Sequence, residues 1–539
     1  MKPYLTLHRP AATRRYYSDR TWRNDTFYGL LSRHAAERPN AAALQDARHT
    51  LTWGELKCWT DGVAANLREY GLTGGDRVMI WLSNRVEAIV MFLACAREGI
   101  ACNPSVHKTY TCAEVGELLK SLSARALLTE DGWGTDRETA DFDSVLVRIN
   151  SLKVVYTPQT FPAPASNSTP PCMDPDKVSY LAFTSGTTGT PKCVMHSDNT
   201  LLANARDLVD DWKRGPETVL LSLSPLSHHI AWVGVAQWLL VGGRFVTADP
   251  PQGMSRIDWI ATTKADYVLG VPTHAMDILA EQQKAGIAKL GCVETFYMAG
   301  APIPPSVAAA FVSQGVTPQN VYGMTENSSH QYTHPGDDAD TIVNTCGRGG
   351  RSYEVRLFDP ADPDKAVDPG ELGHIGGRGA ALMLGYLGNQ TATEGSFNSD
   401  GWFLSGDLGI MDVNGNLRIE GRLKDLIIRG GHNIYPSHIE AMAVRHAEAG
   451  RVAAFPVPDD RLGERVCIAV SGAIEPIELM EHLRREGLSK YDMPEYFLRV
   501  EEFPLTASGK ILKRELVLQV QRGQLHPQPM RTTIAARSA

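Results

Sequence analysis

The segment with the most chemical character in the chain is YLAFTSGTTGTPK, from Tyr180 to Lys192. The apolar run Val178–Phe183 leads into a loop of hydroxyl side chains and glycines that ends at the lysine. Backbone N–H groups and hydroxyls in such a loop can bind phosphate oxygens, and the lysine adds positive charge. The spacing differs from a Walker A loop, in which GxxxxGK is followed by Ser or Thr. The pattern favours a phosphate-binding loop over a merely flexible one, and its candidate residues are Thr184, Ser185, Gly186, Thr187, Thr188, Gly189 and Lys192.

Other segments place acidic or basic residues beside glycines. VYGMTE contains Glu326, whose carboxylate is the kind of ligand that Mg²⁺ prefers. GWFLSGDLG contains Asp407, whose ionised carboxylate is a natural acceptor for the hydroxyl groups of a sugar. PLTASGKILK, near the C-terminus, contains Lys510, which by itself is typical of a solvent-exposed lysine. Each of these segments alone is weak or moderate evidence for a site.

Taken in order along the chain, these segments resemble the motifs of the adenylate-forming superfamily, which includes acyl-CoA synthetases, peptide-synthetase adenylation domains and luciferases. The match extends from about residue 27 to residue 515, and six motifs in the expected order make coincidence improbable. The resemblance implies that Tyr322 stacks on adenine, that Thr325 contacts the α-phosphate of ATP, and that Glu326 holds Mg²⁺. The residues that it places beside the adenine and on the ribose are Gly300, Ala301, Pro302, Asp407 and Arg422.

The resemblance also implies a moving part. Lys510 matches a catalytic lysine that bridges the substrate carboxylate and the α-phosphate, where it stabilises charge in the transition state. For the second half-reaction, the C-terminal domain of the family rotates about a hinge residue two positions after the ribose arginine. That position is Lys424 here, where many relatives carry Asp. Gly430 and Gly431 then line the tunnel for the pantetheine arm of coenzyme A, with a plain turn between strands as the alternative.

The segment that aligns with the acyl pocket, HHIAWVGVAQWLLV, contains no carboxylate. Relatives that activate amino acids place an Asp there to pair with the substrate ammonium, so an α-amino acid substrate is not expected. The candidate pocket residues are His228, Ala231, Trp232 and Met324, although bulky residues in an apolar stretch also pack in cores. A bulky pocket wall favours a compact aromatic, alicyclic or short- to medium-chain acid over a long fatty acid.

The resemblance therefore implies an ATP-dependent carboxylic acid–CoA ligase of the AMP-forming type, which uses ATP, Mg²⁺ and coenzyme A. Such an enzyme converts carboxylate and ATP to acyl-AMP and pyrophosphate, and then forms the CoA thioester. The alternatives are an acyl-AMP ligase that loads a separate acyl carrier protein, a luciferase-like oxygenase, and a non-catalytic nucleotide-binding relative. The presence of Lys510 argues against the last, since binding alone does not require that lysine.

Composition and charge agree with an enzyme that acts on small molecules. The 539 residues are 43% apolar and 21% charged, as in an ordinary soluble globular protein. A net charge of −8 offers no attraction to nucleic acid. The nine cysteines form no CxxC pair, which favours reduced thiols and a cytoplasmic location. No apolar run approaches the roughly 20 residues of a membrane span, so we expect no stable membrane insertion and a monomer or homodimer.

The N-terminal segment, MKPYLTLHRPAATRRYYSDR, has two readings. It carries several arginines and no acidic residue before Asp19, a composition that fits an organellar transit peptide. It also fits a basic N-terminal arm, which Pro3 and Pro10 favour because prolines interrupt an amphipathic helix.

The elements that must position these residues alternate between helix and strand. From Phe27 to about Thr129, the segment lengths are typical of parallel sheets covered on both faces. After about Cys346 the pattern changes to short strands and glycine turns, with a hairpin signal at Asn414-Gly415. We expect an α/β fold with a large N-terminal domain over residues 1–422, made of α/β sheet layers plus a small β-barrel-like part, and a small mobile α+β domain over residues 423–539. Specific predictions are strands at Arg77–Trp81, Ala126–Thr129 and Val219–Ser222, and helices at Leu56–Tyr70, Pro436–Glu448 and Pro476–Arg485.

Overall fold

A computed structural model describes residues 10–184, 191–505 and 511–530 of the chain. The chain forms two compact units. The first contains the chain up to Glu354, with Gly377–Phe397 and Asn414–Asn416. The second contains Val355–Gly376, Asn398–Val413 and the chain from Leu417 onward. The second unit thus includes segments that precede residue 422. The predicted domain boundary at residue 422 refers to a hinge between domains, which this division into compact units does not test, and it stays a prediction.

The strands are short, and all of those in the described ranges lie in four multi-stranded sheets. In the chain up to Tyr332 they are β1 (Ala42–Gln45), β2 (Thr50–Thr52), β3 (Arg77–Trp81), β4 (Ala101–Asn103), β5 (Ala126–Thr129), β6 (Val154–Tyr156), β7 (Val178–Thr184), β8 (Lys192–Ser197), β9 (Val219–Ser222), β10 (Arg244–Thr247), β11 (Tyr267–Gly270), β12 (Thr295–Ala299), β13 (Thr317–Met324) and β14 (Ser328–Tyr332). The later strands are β15 (Tyr353–Asp359), β16 (Asp362–Ala366), β17 (Leu372–Gly379), β18 (Gly385–Tyr386), β19 (Phe403–Met411), β20 (Leu417–Arg422), β21 (Ile427–Arg429), β22 (His432–Ile434), β23 (Val452–Asp459), β24 (Gly463–Val470), β25 (Tyr496–Arg499) and β26 (Gln528–Pro529).

The α-helices alternate with these strands along much of the chain. They are α1 (Pro10–Ser18), α2 (Phe27–Glu37), α3 (Trp53–Glu69), α4 (Val86–Glu98), α5 (Cys112–Leu122), α6 (Phe142–Val147), α7 (Asp198–Asp211), α8 (His229–Val241), α9 (Arg256–Thr263), α10 (Pro272–Ala285), α11 (Pro305–Ser313), α12 (Ala339–Asn344), α13 (Gln390–Glu394), α14 (Pro436–Ala443), α15 (Pro476–Arg485) and α16 (Lys513–Gln521). Leu423–Asp425 forms a single turn of 3-10 helix. Within the described ranges, no helix is both long and apolar enough to cross a lipid bilayer.

Two sheets build the first unit. One has eight strands in the order β14-β13-β12-β11-β9-β10-β1-β2, and its pairings are parallel except at the two edges. The other has seven strands in the order β18-β8-β7-β4-β3-β5-β6, with antiparallel pairings only at β8 and β18. One continuous cluster of buried apolar side chains joins both sheets through helices that include α4 and α8. The expectation of parallel sheets covered by helices is confirmed.

Several elements have the bounds that the sequence pattern predicts. Strands β3, β5 and β9 and helix α15 begin and end at the predicted residues. Helix α3 begins at Trp53 instead of Leu56, because the Thr52 side chain accepts a hydrogen bond from the Glu55 backbone and Glu55 bonds back to Thr52. Helix α14 ends at Ala443, before the predicted Glu448, and the chain turns over the next residues.

The second unit is built on two smaller sheets. One has five strands in the order β16-β15-β17-β19-β20, and in the other β22-β21-β24-β25-β26 follow in that order with β23 paired to β24. Strands β19 and β20 are antiparallel neighbours, which confirms the hairpin predicted at Asn414-Gly415. Gly415 has a φ of +84°, as the turn requires. Mixed sheets in a large N-terminal and a small C-terminal part confirm the α/β fold class.

Candidate active site

A tight turn between β13 and β14 presents the VYGMTE segment. A Cβ atom on Gly323 would lie 1.7 Å from the Ser328 carbonyl oxygen, so only glycine fits there. The Asn327 side chain closes the turn by accepting a hydrogen bond from the Met324 backbone N–H at 3.1 Å. Ser328 has a φ of +56°, a conformation that few residues other than glycine adopt. This packed geometry fixes the positions of the two residues between them, Thr325 and Glu326.

Glu326 is buried and held by two neighbours. The Tyr386 hydroxyl donates a hydrogen bond to Glu326 Oε1 at 2.9 Å, and the Met383 backbone N–H donates to the Glu326 carbonyl at 2.7 Å. Burial and the charge of Glu326 raise the pKa of Tyr386 well above its ordinary value, so its hydroxyl stays protonated. The Lys192 ammonium lies 4.6 Å from the centre of the Tyr386 ring. A carboxylate and a lysine thus lie beside the same tyrosine, an arrangement that can hold a hard cation together with phosphate oxygens.

The predicted phosphate loop connects β7 to β8. The two ends of the loop, Thr184 and Lys192, are cross-strand partners, and the Thr184 hydroxyl lies 3.4 Å from the Lys192 carbonyl oxygen. The predicted loop residues between these two ends and the predicted catalytic lysine lie outside the described residues. They are Ser185, Gly186, Thr187, Thr188, Gly189 and Lys510. Their assignments stay predictions from the sequence.

Two stacked histidines, His196 and His229, contact the turn between β13 and β14 that contains VYGMTE. His196 Nε2 lies 2.6 Å from the Thr325 carbonyl oxygen and must carry a proton there, because a carbonyl only accepts. His229 Nε2 lies 3.1 Å from the Ser328 hydroxyl, and the two imidazole centres are 5.7 Å apart. Burial, with a smaller contribution from His196, lowers the pKa of His229 to about 3. His229 is therefore neutral at physiological pH and acts as a hydrogen-bonding support.

These histidines and Tyr386 were missed by sequence reasoning. His229 follows the pocket candidate His228 directly, and Tyr386 ends a glycine-rich stretch, but neither position indicates a contact with VYGMTE. His196 precedes the turn by more than a hundred residues and carries no local signal. Only the packing of β8, α8 and β18 around the turn brings the three side chains to it.

The predicted adenine contacts meet at one edge of the eight-stranded sheet. Ala299 and Val321 are register partners on the parallel strands β12 and β13, so Gly300, just after β12, and Tyr322, within the last three residues of β13, occupy neighbouring positions. Gly300 has a φ of +90°, and the exposed residues Ala301 and Pro302 continue that loop. His330 lies edge-on to Tyr322, with 5.4 Å between the ring centres.

The four acyl-pocket candidates separate into two pairs. Ala231 and Trp232 are buried, and the Trp232 indole packs 4.5 Å from the Phe92 ring centre and donates to the Leu226 carbonyl at 2.6 Å. His228 and Met324 are partly exposed. Trp232 thus forms part of the core behind this region, and pocket lining by any of the four stays a prediction.

In the second unit, the two ribose candidates are adjacent. Asp407 on β19 and Arg422 on β20 are cross-strand partners, with Arg422 Nε 3.3 Å from Asp407 Oδ1. The Asp407 backbone N–H donates to the Ser405 hydroxyl at 3.0 Å, and this bond spans Gly406, whose φ is +80°, within β19. The Arg422 side chain is half exposed, whereas that of Asp407 is nearly buried. Together they offer a carboxylate acceptor beside a guanidinium donor.

The predicted hinge and pantetheine residues lie on turns of the same unit. Lys424 is exposed in the 3-10 turn that follows β20. Gly430 and Gly431 form the two-residue turn between β21 and β22, and their φ values of +59° and +85° are those of a type I′ hairpin. Glycine is the residue best suited to both positions of such a turn.

Comparison with known proteins places this arrangement in context. A family model described as AMP-binding enzyme matches residues 31–387, and one described as AMP-binding enzyme C-terminal domain matches residues 438–510. A human mitochondrial medium-chain acyl-CoA ligase is 30% identical over 88% of this chain and 83% of its own. A salicylyl-CoA synthase / salicylate adenylyltransferase from a Streptomyces species is 30% identical over 94% of this chain and 95% of its own. The crystal structure of ATP-bound MatB from Rhodopseudomonas palustris, 25% identical, superposes with a TM-score of 0.81 over 92% of this chain and 99% of that one.

Proposed function

The chain belongs to the AMP-binding enzyme family, and on that premise we propose that it joins a carboxylic acid to coenzyme A through an acyl-adenylate. A free carboxylate resists nucleophiles because of its charge and its poor leaving group. In the first step a carboxylate oxygen attacks the α-phosphorus of ATP, and the bond to the β-phosphate breaks to release pyrophosphate. In the second step the CoA thiolate attacks the acyl carbon and AMP leaves.

The observation that carries this proposal is the group formed by the buried Tyr386 and Glu326 and the partly exposed Lys192. Glu326 Oε1 is a hard oxygen ligand, oriented by the Tyr386 hydroxyl at 2.9 Å, and it suits Mg²⁺. When bound with ATP, Mg²⁺ would neutralise phosphate charge. Lys192 contributes a positive charge where the phosphate loop rejoins β8. Because these groups are fixed before ATP arrives, they need little reorganisation during the reaction.

Further residues orient the nucleotide and the attacking group. Tyr322 offers a ring face for adenine at the strand end next to Gly300. The side chain of Thr325 contacts the α-phosphate, and the His196 imidazole holds the Thr325 carbonyl so that this side chain keeps its direction. Lys510, assigned from the sequence, supports the attacking carboxylate oxygen and the α-phosphate.

The second unit binds the ribose and serves the thioester step. Asp407 accepts hydrogen bonds from the ribose hydroxyls, with Arg422 beside it. Lys424 is the hinge at which the backbone changes conformation between the two half-reactions. Gly430 and Gly431 leave room for the pantetheine arm because neither carries a side chain.

The acid is a compact aromatic, alicyclic or short- to medium-chain molecule. The stretch from His228 to Val241 provides no carboxylate to pair with an ammonium group. The bulky Trp232, four residues after His228, is buried against Phe92, and an indole at that position would limit the depth of an acyl pocket. The relatives agree with this range, since one is named for medium-chain acids and another for salicylate.

The test is mass spectrometry of the products formed from purified protein, Mg·ATP, CoA and a pooled library of benzoates, cyclohexane acids and alkyl acids of graded length. We expect an acyl-CoA product that depends on both ATP and CoA. Acyl-AMP that accumulates without thioester would contradict CoA as the acceptor and favour a carrier protein. Neither product from any acid in the library would contradict the proposed acid range.

A further inference from the structure

Three ligand-type side chains converge in the first unit, in the turn between β1 and β2 and the start of α4. Asp46, His49 and Glu87 each offer one donor atom, and these atoms all lie within 4.8 Å of one another. The group consists of two carboxylates and one imidazole. It uses none of the residues assigned to adenylation or thioester formation.

Asp46 is held rigidly in this group. Its Oδ1 accepts hydrogen bonds from the backbone N–H groups of Arg48 and His49, both at 2.7 Å. Its Oδ2 accepts from the backbone N–H of Val86 at 3.1 Å, and it thereby caps α4, whose own N-cap residue makes no side-chain bond. Each carboxylate oxygen can accept about two bonds, so Oδ2 retains acceptor capacity directed by a fixed backbone.

The other two residues each bury a polar atom without a hydrogen bond. Glu87 is 3% exposed, and although its Oε1 accepts from Arg85 at 2.6 Å, its Oε2 has no partner among the described residues. His49 Nδ1 is also buried without a hydrogen-bond partner, and it lies 3.4 Å from Asp46 Oδ1. A buried carboxylate oxygen without a partner is costly. This carboxylate oxygen and the imidazole nitrogen of His49 lie in one cluster and are both available to a ligand.

The surrounding charges indicate the charge of that ligand. Arg48 pairs with Asp249 as well as lying near Asp46, and Arg85 lies 3.8 Å from Glu130 in addition to its bond with Glu87. The network therefore contains four carboxylates and two guanidinium groups, with a formal charge of −2. A divalent cation would neutralise it.

We propose that Asp46, His49 and Glu87 bind one divalent transition-metal ion of the Zn²⁺ type. An imidazole nitrogen with two carboxylate oxygens suits Zn²⁺ or Co²⁺, whereas Mg²⁺ and Ca²⁺ prefer sites made only of oxygen. The His49 side chain is 35% exposed, so the ion can reach the site from solvent. The ion would tie the β1–β2 turn to the start of α4.

Binding is tested on the full-length protein, stripped with a chelator and titrated with Co²⁺ in the absence of nucleotide, so that the Mg²⁺ of the ATP site does not contribute. Visible absorption and the bound metal per chain are measured after gel filtration. We expect one equivalent of Co²⁺ with a ligand-field spectrum, displaced by Zn²⁺. His49→Gln and Glu87→Gln are each expected to weaken binding by at least about tenfold, since ligands matter no less than the groups that orient them.

Glu130→Gln is the matched control, because it neutralises a carboxylate of the same network that lies outside the three ligands. It is expected to retain the wild-type spectrum and stoichiometry. Failure of the wild-type protein to retain Co²⁺ would overturn the proposal. Equal binding by wild type and His49→Gln would also overturn it, as adventitious uptake elsewhere.

Discussion

The two units hold their candidate site residues in different ways. In the first unit, Glu326 and the Thr325 carbonyl are fixed inside packed structure by Tyr386 and His196. In the second unit, the half-exposed Arg422 and the exposed Lys424 stand at the end of a strand and on a turn. Fixed groups at low dielectric stabilise developing charge most strongly, whereas exposed groups on turns can change partners at little cost. The rigid arrangement of the first unit suits residues that have one fixed role in the proposed adenylation. The exposed arrangement of the second unit suits residues that change position between the proposed adenylation and thioester steps.

The glycines of the two units show the same difference. Gly323 is required by close packing, because a Cβ there would overlap the Ser328 carbonyl oxygen. Gly431 is favoured only by its φ of +85°, and no atom lies within 4 Å of where its Cβ would be. Steric exclusion governs the first region, and local backbone preference governs the second.

The largest expected effect comes from Lys510→Ala. This variant tests whether the second unit supplies, through Lys510, a positive charge that adenylation needs and thioester formation does not. We expect pyrophosphate release to fall by about 10²–10³-fold, the loss typical of removing one transition-state donor. Thioester formation from supplied acyl-adenylate and CoA should persist. Lys490→Ala, an exposed lysine of the same unit, should leave both rates unchanged. Normal pyrophosphate release by Lys510→Ala would contradict the assignment.

Lys424→Pro tests whether the exposed turn is the hinge. Proline fixes φ and so restricts the backbone change that the thioester step requires. We expect thioester formation to fall by about 10²-fold, as for a small misplacement of reacting groups, while pyrophosphate release from ATP and acid continues. Lys424→Ala is the matched control, because it removes the same side chain without restricting φ. If both variants lose thioester formation equally, the ammonium and not the backbone is responsible.

Gly323→Ala and Gly431→Ala compare the two kinds of glycine directly. The methyl group at Gly323 must displace the packed turn, and we expect a loss of about 3 kcal/mol in the free energy of unfolding. At Gly431 only the left-handed φ is penalised, at about 1 kcal/mol. Urea denaturation, followed by the unfolding of each unit, measures both values. Equal losses would show that packing does not distinguish the two regions.

Tyr386→Phe tests the preorganisation of Glu326. The substitution removes the hydroxyl at 2.9 Å from Glu326 Oε1 and keeps the ring beside Lys192. A hydrogen bond to a charged group typically contributes about 1.5–3 kcal/mol, so we expect kcat/KM for pyrophosphate release to fall by about tenfold or more. Tyr70→Phe, at an exposed tyrosine, should have no effect. An unchanged rate in Tyr386→Phe would show that Glu326 needs no such support.

The smallest expected effect concerns pH. Burial lowers the pKa of His330 to about 3, below its unfolded value of 6.5, and neither ring nitrogen has a hydrogen-bond partner within the described ranges. Below pH 6.5 His330 is therefore protonated in the unfolded chain but stays neutral in the folded chain. The free energy of unfolding consequently falls as pH drops toward 3. His330→Phe removes this contribution. When the pH is lowered from 7.5 to 5.5, the free energy of unfolding of the variant should fall by about 1 kcal/mol less than that of the wild type.

The control for this measurement is His526→Phe, at an exposed histidine of the second unit. The free energy of unfolding of this variant should depend on pH in the same way as that of the wild type. A pH dependence of His330→Phe identical to that of wild type would show that the buried imidazole does not contribute.

Local pattern predicted much of the fold because local forces govern it. Apolar runs bounded by turn residues gave β3, β5 and β9 with their observed ends. The Asn-Gly pair predicted the β19–β20 hairpin, although the connection is longer than a two-residue turn and only Gly415 adopts a positive φ in it. The start of α3 was misplaced, since its capping pair Thr52 and Glu55 precedes the apolar pattern on which the prediction rested.

The sequence by itself determined the motifs and their order, which are enough for the family. The predicted phosphate loop, VYGMTE, Asp407, Arg422 and Lys510 can each be recognised in a few consecutive residues. Only the tertiary structure decided that His196 supports Thr325, that Tyr386 orients Glu326, and that Asp46, His49 and Glu87 converge. Those side chains come from distant segments, and their proximity depends on how sheets and helices pack, which no local spacing encodes.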